Sequence, residues 1–386
     1  SLEENFSFFG QIVILFLIQI GGLSIMTLYS SMAILLGRSI GVKDRVIMQD
    51  LLDISSLEDL LAMVGNIVKY TFFIELWGAI VLTLAFSYEG FDFGKALYYG
   101  IFHSISAFCN AGFSLFESSL ENYSVNPVVH GTVSILVILG GLGFIVLKEI
   151  KEFVVQRKSF VRFSLHTKIV LIVSFVLTFG GMLFIFFSEF LSSLDTYSLW
   201  EKIQISFFHS VTLRTAGFST IPLTNFHPFT IYGMALIMFI GASPGSTGGG
   251  IKTTTLAILY AGVRSTLLGR KKVGLFDRVI ASPIVVRATA LFFIGILIAS
   301  AFVLILMLVE SETGSYLPIF FEVVSASATV GLSLGVTPGL SLLGKALIGV
   351  LMLIGRIGPL TLILAVAQRE KLLGEFEYPD GKIMMG

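Results

Sequence analysis

Three short polar turns, each closed by a single glycine, interrupt this chain between apolar stretches long enough to cross a membrane. They read Cys109-Asn110-Ala111-Gly112-Phe113, Arg214-Thr215-Ala216-Gly217-Phe218 and Ala328-Thr329-Val330-Gly331-Leu332. From Gly112 to Gly217 is 105 residues, and from Gly217 to Gly331 a further 114. Polar backbone at membrane depth is tolerated only where it is buried in protein or lines water. Re-entrant turns set around an axis let backbone carbonyls replace the hydration shell of an ion. The repetition therefore points to a cation pore.

Composition agrees with a membrane setting. Hydrophobic residues make up 55% of the chain and charged residues 13%, about half the roughly 25% charged residues of soluble domains. The mean hydropathy is +0.92. The formal net charge of zero gives no general attraction to nucleic acid. Cys109 is the single cysteine, which excludes an intrachain disulfide and a cysteine-based metal site. No nucleophile–base set, HExxH motif or carboxylate pair points to an enzyme.

The apolar segments predict an all-α membrane protein with fused outer helix–pore helix–inner helix repeats around a pseudo-fourfold cation pore. Residues 1–63 read as the inner helix of a first, incomplete repeat (about Phe6 to Leu36) and a linker. Residues 64–158 read as a second repeat, 159–268 as a third with a broken inner helix, and 269–386 as a fourth with a C-terminal tail. Outer helices are expected near Val64–Ser87, Thr167–Phe190 and Ile284–Val309. Shorter pore helices are expected near Gly94–Phe108, Leu199–Leu213 and Pro318–Ala328. Inner segments follow near Val128–Val155, Phe229–Leu268 and Gly339–Gln368. Internal self-similarity supports the division. Phe102-His103-Ser104 and Phe208-His209-Ser210 precede the first two turns, and Ser106-Ala107 and Ser325-Ala326 lie at matching places. A glycine mark recurs on the inner segments at Gly21, Gly140, Gly241 and Gly355, the last three lying 28, 24 and 24 residues after their turn glycines. Gly21 has no turn ahead of it. Counting back places a fourth turn glycine just upstream of Ser1, so a first outer helix, pore helix and turn are expected to be missing.

Lys and Arg placement sets the orientation. The segments between repeats and the tail hold 18 of the 25 basic residues, among them Arg38, Lys43, Arg45, Lys148, Lys151, Arg157, Lys158, Arg270, Lys271, Lys272, Arg369, Lys371 and Lys382. These segments are expected to be cytoplasmic. The turn-bearing side carries Glu89, Asp92, Glu117, Glu121, Glu189, Asp195, Glu201, Glu310 and Glu312. An acidic mouth concentrates cations, although any outer loop poor in bases looks acidic.

The candidate ion-coordinating residues are Asn110, Ala111, Gly112, Thr215, Ala216, Gly217, Thr329, Val330 and Gly331. Thr329-Val330-Gly331-Leu332 resembles the first part of the potassium-channel filter sequence TVGYG. A second constellation runs through Gly241, Ala242, Ser243, Pro244, Gly245, Ser246, Thr247, Gly248, Gly249 and Gly250, with five glycines, a proline and three hydroxyls in ten residues. No continuous helix survives such a run. It begins 13 residues after Pro228, roughly 20 Å into the membrane at 1.5 Å per residue, and reads as a gate or as a passive kink. Ile251 separates Gly250 from Lys252, so the run fails the phosphate-loop pattern GxxxxGK[ST]. Arg356 lies at a similar depth. An intramembrane charge needs polar partners, and the loop carbonyls and hydroxyls are expected to supply them. Arg356 reads as a tethered barrier to ions or as a structural clamp. Arg214 is expected to brace its turn, Lys69 to reach the cytoplasmic interface, Glu75 to find an internal partner, and His103 and His209 to make structural hydrogen bonds rather than bind metal.

These turns, the broken segment and Gly355-Arg356-Ile357-Gly358-Pro359 together resemble the Trk/Ktr/HKT superfamily of potassium transporters. Similarity extends across the chain, including the tail Tyr378-Pro379-Asp380-Gly381-Lys382, and is nearest to the membrane subunit of bacterial Ktr-type systems. The resemblance implies potassium uptake across the cell membrane, a one-glycine-per-repeat filter and a loop gate in the third repeat. It implies a homodimer in the lipid bilayer and a cytoplasmic regulatory ring that binds ATP or ADP. No cofactor is expected on this chain, K⁺ being the transported ion. The alternative is a Na⁺-coupled or Na⁺-selective transporter of the same superfamily.

Overall fold

The computed structural model describes residues 2–23, 57–156, 162–310 and 316–358. The expected inner-helix residues after Leu23, most of the first linker with Arg38, Lys43 and Arg45, and Arg157, Lys158 and Glu312 lie outside the described residues. So do Pro359, the expected end of the last inner helix and the basic tail.

Helices α1 (Leu2–Asn5) and α2 (Phe8–Leu23) open the fold. A long–short–medium succession then recurs three times. The long helices are α3 (Leu57–Tyr88), α7 (Leu165–Glu189) and α11 (Ser282–Val309). The short ones are α4 (Phe93–Phe108), α8 (Leu199–Thr212) and α12 (Tyr316–Ser327). Behind them come α5 (Pro127–Leu142) with α6 (Phe144–Gln156), α9 (Pro228–Met238) with α10 (Thr253–Leu267), and α13 (Leu342–Ile357). Three stretches, Gly65–Tyr88, Leu165–Glu189 and Ser282–Val309, are long and apolar enough to cross a membrane. Their outward faces carry exposed Phe72, Phe73, Phe175, Phe187, Phe293 and Leu304, the apolar sheath that lipid requires.

Two of the three short helices, α4 and α8, are strapped to the long helix before them. Ser104 Oγ donates to Glu75 O and Ser210 Oγ to Thr178 O, both at 2.6 Å. Gly78 and Gly181 lie directly against these two serine hydroxyls. Small residues at a membrane helix contact let backbones approach, and such interhelical hydrogen bonds contribute about 0.6–2 kcal/mol each.

A second device recurs at the far end of the long helices. Glu89 Oε1 accepts from Asn126 Nδ2 at 2.8 Å, Glu189 Oε1 from His227 N–H at 2.9 Å, and Glu310 Oε1 from Ser341 N–H at 3.0 Å. Asn126, His227 and Ser341 are the N-cap residues of α5, α9 and α13. The acids thus sit at the positive ends of the following helices, where anions are stabilising. Asp92 caps α4, and Glu201 closes a capping box with Ser198 on α8. The Ser198 backbone N–H holds the exposed Glu201 carboxyl below its ordinary range. Five of the nine acids read as a possible cation funnel are therefore bound up in helix ends.

Two expectations are corrected. Helix α3 begins at Leu57 rather than near Val64. The segment expected as one inner helix over Val128–Val155 is two helices, turned by 108° at Gly143. Gly143 has φ 93° and lies against Pro244 O, where a Cβ would come within 2.6 Å, so a side chain there is excluded twice over. The linker between α10 and α11 carries a short hairpin, β1 (Gly274–Leu275) with β2 (Arg278–Val279). Phe276 and Asp277, both at positive φ, make its turn.

Candidate functional site

The three turns share one backbone pattern. Asn110, Thr215 and Thr329 have φ of 52°, 69° and 55°, and Gly112, Gly217 and Gly331 have φ of 71°, 81° and 92°. Ala111, Ala216 and Val330 between them keep ordinary negative φ. Backbone that alternates between left-handed and ordinary φ can turn successive carbonyls to one side. A β-branched threonine in the left-handed region is an outlier that costs on the order of 1–3 kcal/mol and persists only where the surroundings over-determine it.

Those surroundings are visible. Ala111 N–H donates to Ser106 O at 2.9 Å, Ala216 N–H to Thr212 O at 3.0 Å and Val330 N–H to Ser325 O at 2.8 Å. Ser106 Oγ donates to Phe113 O at 2.7 Å, and Ser325 Oγ accepts from Gly331 N–H at 3.2 Å, which explains the matched serines. Asn110 Nδ2 bridges to the next turn through Arg214 O at 3.2 Å and Thr215 Oγ1 at 3.1 Å.

The turns meet one another. A Cβ on Gly112 would stand 2.6 Å from Ala216 O and 3.0 Å from Gly217 Cα. One on Gly217 would collide with Val330 O. Glycine at 217 is thus required by its φ and by the backbone against it.

Behind each turn a polar side chain of the short helix holds the chain just past the glycine. His103 Nε2 meets Ser114 Oγ at 3.0 Å, and His209 Nδ1 meets Thr220 Oγ1 at 3.5 Å. Glu322 accepts from Ser333 Oγ at 2.7 Å and Thr337 Oγ1 at 2.5 Å. The two histidines make structural contacts, and among the described residues no His/Cys/Asp/Glu group is suited to a metal. Glu322 escaped the sequence reading although it stands nine residues before Gly331, the distance from His103 to Gly112.

Residues 241–250 return on themselves against the threonine end of the turns. Gly241 N–H donates to Ile251 O at 2.8 Å and Ala242 N–H to Gly249 O at 3.2 Å. The loop also finishes α5. Ser243 N–H donates to Gly141 O and Thr247 N–H to Gly140 O, both at 3.1 Å, while Phe144 N–H donates to Gly245 O at 3.0 Å. The last carbonyls of a helix lack partners within it, and here loop amides a hundred residues away supply them. Thr247 Oγ1 donates to Phe108 O at 3.2 Å. Gly248 lies against the Thr215 side chain and Gly249 against that of Thr329. Ser246 Oγ donates to Ser243 O at 2.6 Å. The loop therefore touches all three quarters that carry a described turn.

Two cations hold it. Arg356 donates from Nη1 to Thr247 O and from Nη2 to Gly21 O, tying α13, the loop and α2 together. The expected loop carbonyl is thus one partner, and Gly21 is a second that the sequence did not offer. Lys252, the N-cap of α10, donates from Nζ to Gly248 O at 2.8 Å. The sequence reading weighed Lys252 only as part of a failed phosphate loop.

Other singled-out residues lie nearby. Arg214 is buried; its backbone carbonyl makes the bond to the neighbouring turn, and Nε and Nη2 find no hydrogen-bond partner among the described residues. Glu75 is buried within its long helix and accepts from Gln19 Nε2 at 3.1 Å and Cys109 Sγ at 3.7 Å, the internal partners expected of it. Lys69 is exposed.

Residues 1–373 match the family described as TrkH: Cation transport protein. The chain belongs to this family of cation transporters. It is 38% identical over 384 residues to the Ktr system potassium uptake protein B of Bacillus subtilis, covering 99% of this chain and 84% of that protein. It is 34% identical over 390 residues to the potassium/sodium uptake protein NtpJ of Enterococcus hirae, covering 100% of this chain and 85% of that protein. Among solved structures, the potassium transporter TrkH from Vibrio parahaemolyticus shares the fold. The TM-score is 0.68 at 19% identity, covering 92% of this chain and 72% of that one. This TrkH-family chain is thus an all-α membrane protein, and transport is the frame for its turns and loop.

Proposed function

We propose that this TrkH-family chain takes up potassium ions through a filter of backbone carbonyls at Asn110–Gly112, Thr215–Gly217 and Thr329–Gly331. The observation that carries the reading is the same alternation of φ sign in three turns whose glycines meet at van der Waals distance. Carbonyls that share one side can stand in for water around a cation. The naming of similar proteins as potassium uptake proteins supports K⁺ over the Na⁺-coupled or Na⁺-selective alternative. Gly217→Asp or Gly331→Asp places a side chain and a charge where the turns meet. Either variant abolishes K⁺ uptake while still inserting in the membrane. Normal potassium-limited growth of cells relying on either one overturns the reading.

The 241–250 loop is the gate, and Arg356 its latch. Contact with the Thr215 and Thr329 side chains and two cationic clamps supports this. The path lies in the cell membrane with the turn glycines outward and the inter-repeat linkers in the cytoplasm. The chain works as a homodimer on a cytoplasmic ring that binds ATP or ADP. The exposed hairpin linker with Arg270, Lys271, Lys272 and Arg278 offers a basic docking surface. Charge reversal at Arg270, Lys271 and Lys272 breaks assembly and nucleotide-dependent flux together; if both persist, docking is elsewhere.

A further inference from the structure

A cavity of about 260 Å³ opens at the glycine end of the turns. Gly217 and Gly331 form part of its floor, and Ser219, Thr224 and Ser333 part of its wall. Glu121 is the one ionisable residue among those lining it. Its position follows from the first post-turn loop, which crosses to the second: Leu120 N–H donates to Ser219 O at 2.9 Å, and Ser219 N–H to Ser119 Oγ at 3.1 Å. These bonds carry Glu121 from its own quarter over the neighbouring glycines.

The other acids of this face are committed or remote. Glu89, Asp92, Glu189, Glu201 and Glu310 serve helix ends. Glu117 and Asp195 are exposed and line no part of the cavity. Among the described residues nothing donates a hydrogen bond to the Glu121 carboxylate. We infer that Glu121 and the cavity over Gly217 and Gly331 form an outer site for a hydrated monovalent cation, which loads the turns from the extracellular side. The inference rests on the filter reading and adds to it the residue that sets apparent affinity.

The physical basis is a fixed negative charge in a concave, partly desolvated mouth, which raises the local concentration of cations. Ser219, Thr224 and Ser333 line the same space, and its volume lets an ion keep most of its water there. Partial burial raises the Glu121 carboxyl above its ordinary range. Its charge is therefore complete well above that raised value and disappears as pH falls through it. No second titratable group lines the cavity to blur the change.

The test is the K⁺ dependence of ⁸⁶Rb⁺ uptake by the complete transporter with its regulator, in cells lacking other K⁺ uptake. Glu121→Gln is expected to raise the KM for K⁺ about three- to tenfold at low ionic strength, with the rate at saturating K⁺ retained. The effect shrinks as salt screens the mouth. In the parent the KM rises on acidification, and in the variant that rise is lost. Glu117→Gln, whose carboxylate lies outside the cavity, leaves the KM within about twofold. An unchanged KM in Glu121→Gln, or an equal rise in Glu117→Gln, overturns the site. Gly331→Asp separates the two readings. If it abolishes uptake while Glu121→Gln leaves the KM unchanged, the filter stands and the outer site fails. If it transports normally, the filter itself fails.

Discussion

Arg356→Gln tests the latch quantitatively. Of the two bonds made by Arg356, only the one to Thr247 O reaches the loop; the one to Gly21 O anchors the guanidinium to α2. The closed loop therefore gains one charge-assisted bridge from Arg356, about 1.5–3 kcal/mol. Glutamine is shorter and neutral, and it cannot span from α13 to both carbonyls. At 1.4 kcal/mol per decade, losing the bridge shifts the closed–open equilibrium by roughly 10- to 100-fold. Other loop bonds, from Ser243 and Thr247 amides to Gly141 and Gly140 carbonyls, remain, so the loop should loosen without melting. K⁺ flux into proteoliposomes reads the change, with thermal stability in detergent as the check on folding. The expected result is flux at least tenfold above the parent in the absence of the activating nucleotide. Arg356→Lys divides the mechanism further. It keeps the charge but loses the fork that bonds two carbonyls at once. High flux in both variants assigns the effect to the bridge, whereas high flux in glutamine alone assigns it to a charge barrier in the path. Unchanged or lower flux in both, in folded protein, refutes the latch and leaves the loop a passive kink.

Lys252→Met removes the second clamp and leaves Gly248 O without its 2.8 Å donor; raised basal flux in the same assay is expected, additive in logarithm with Arg356→Gln only if the clamps act independently. Glu189→Gln replaces a fully buried anion at the N-terminus of α9 with a neutral amide and should lower stability by about 1–2 kcal/mol, seen as a lower melting temperature in detergent with uptake preserved at permissive temperature.

The parts of this fold legible in the sequence are those written locally. Short apolar helices feeding a polar turn with a glycine appear three times, and the structure starts each of them within about two residues of where the pattern put it. The 241–250 loop was legible because glycine and proline exclude helix whatever surrounds them. The bend at Gly143 was not. The residues around it remain apolar, and the break is stabilised by the amides of residues 243 and 247 and the carbonyl of residue 245, which no local pattern connects to it. Glu322 was missed for another reason: it does the work of two histidines with a different side chain, so position rather than residue type carries the equivalence. The acidic face could not be sorted from the sequence because a carboxylate at a helix end and one in an open mouth are identical there. Only the pairing of Glu89, Glu189 and Glu310 with the next N-cap separates them from Glu121.

Among the described residues the loop over 241–250 exists once, although the turns it presses against recur. A ring assembled from identical chains would have to carry such a plug in every copy, and four plugs would compete for one axis. Fusing the copies into a single polypeptide lifts that restriction. On the proposed reading, one quarter has diverged into a stopper while the described inner segments of the others remain helical. Mutation acts accordingly: a change in this one segment reaches the entire conduit, with no unaltered sister copies to dilute it. If the loop is the gate proposed above, opening has a single moving part in each chain, so each pore of the proposed homodimer would show one open current level rather than a staircase of partial ones.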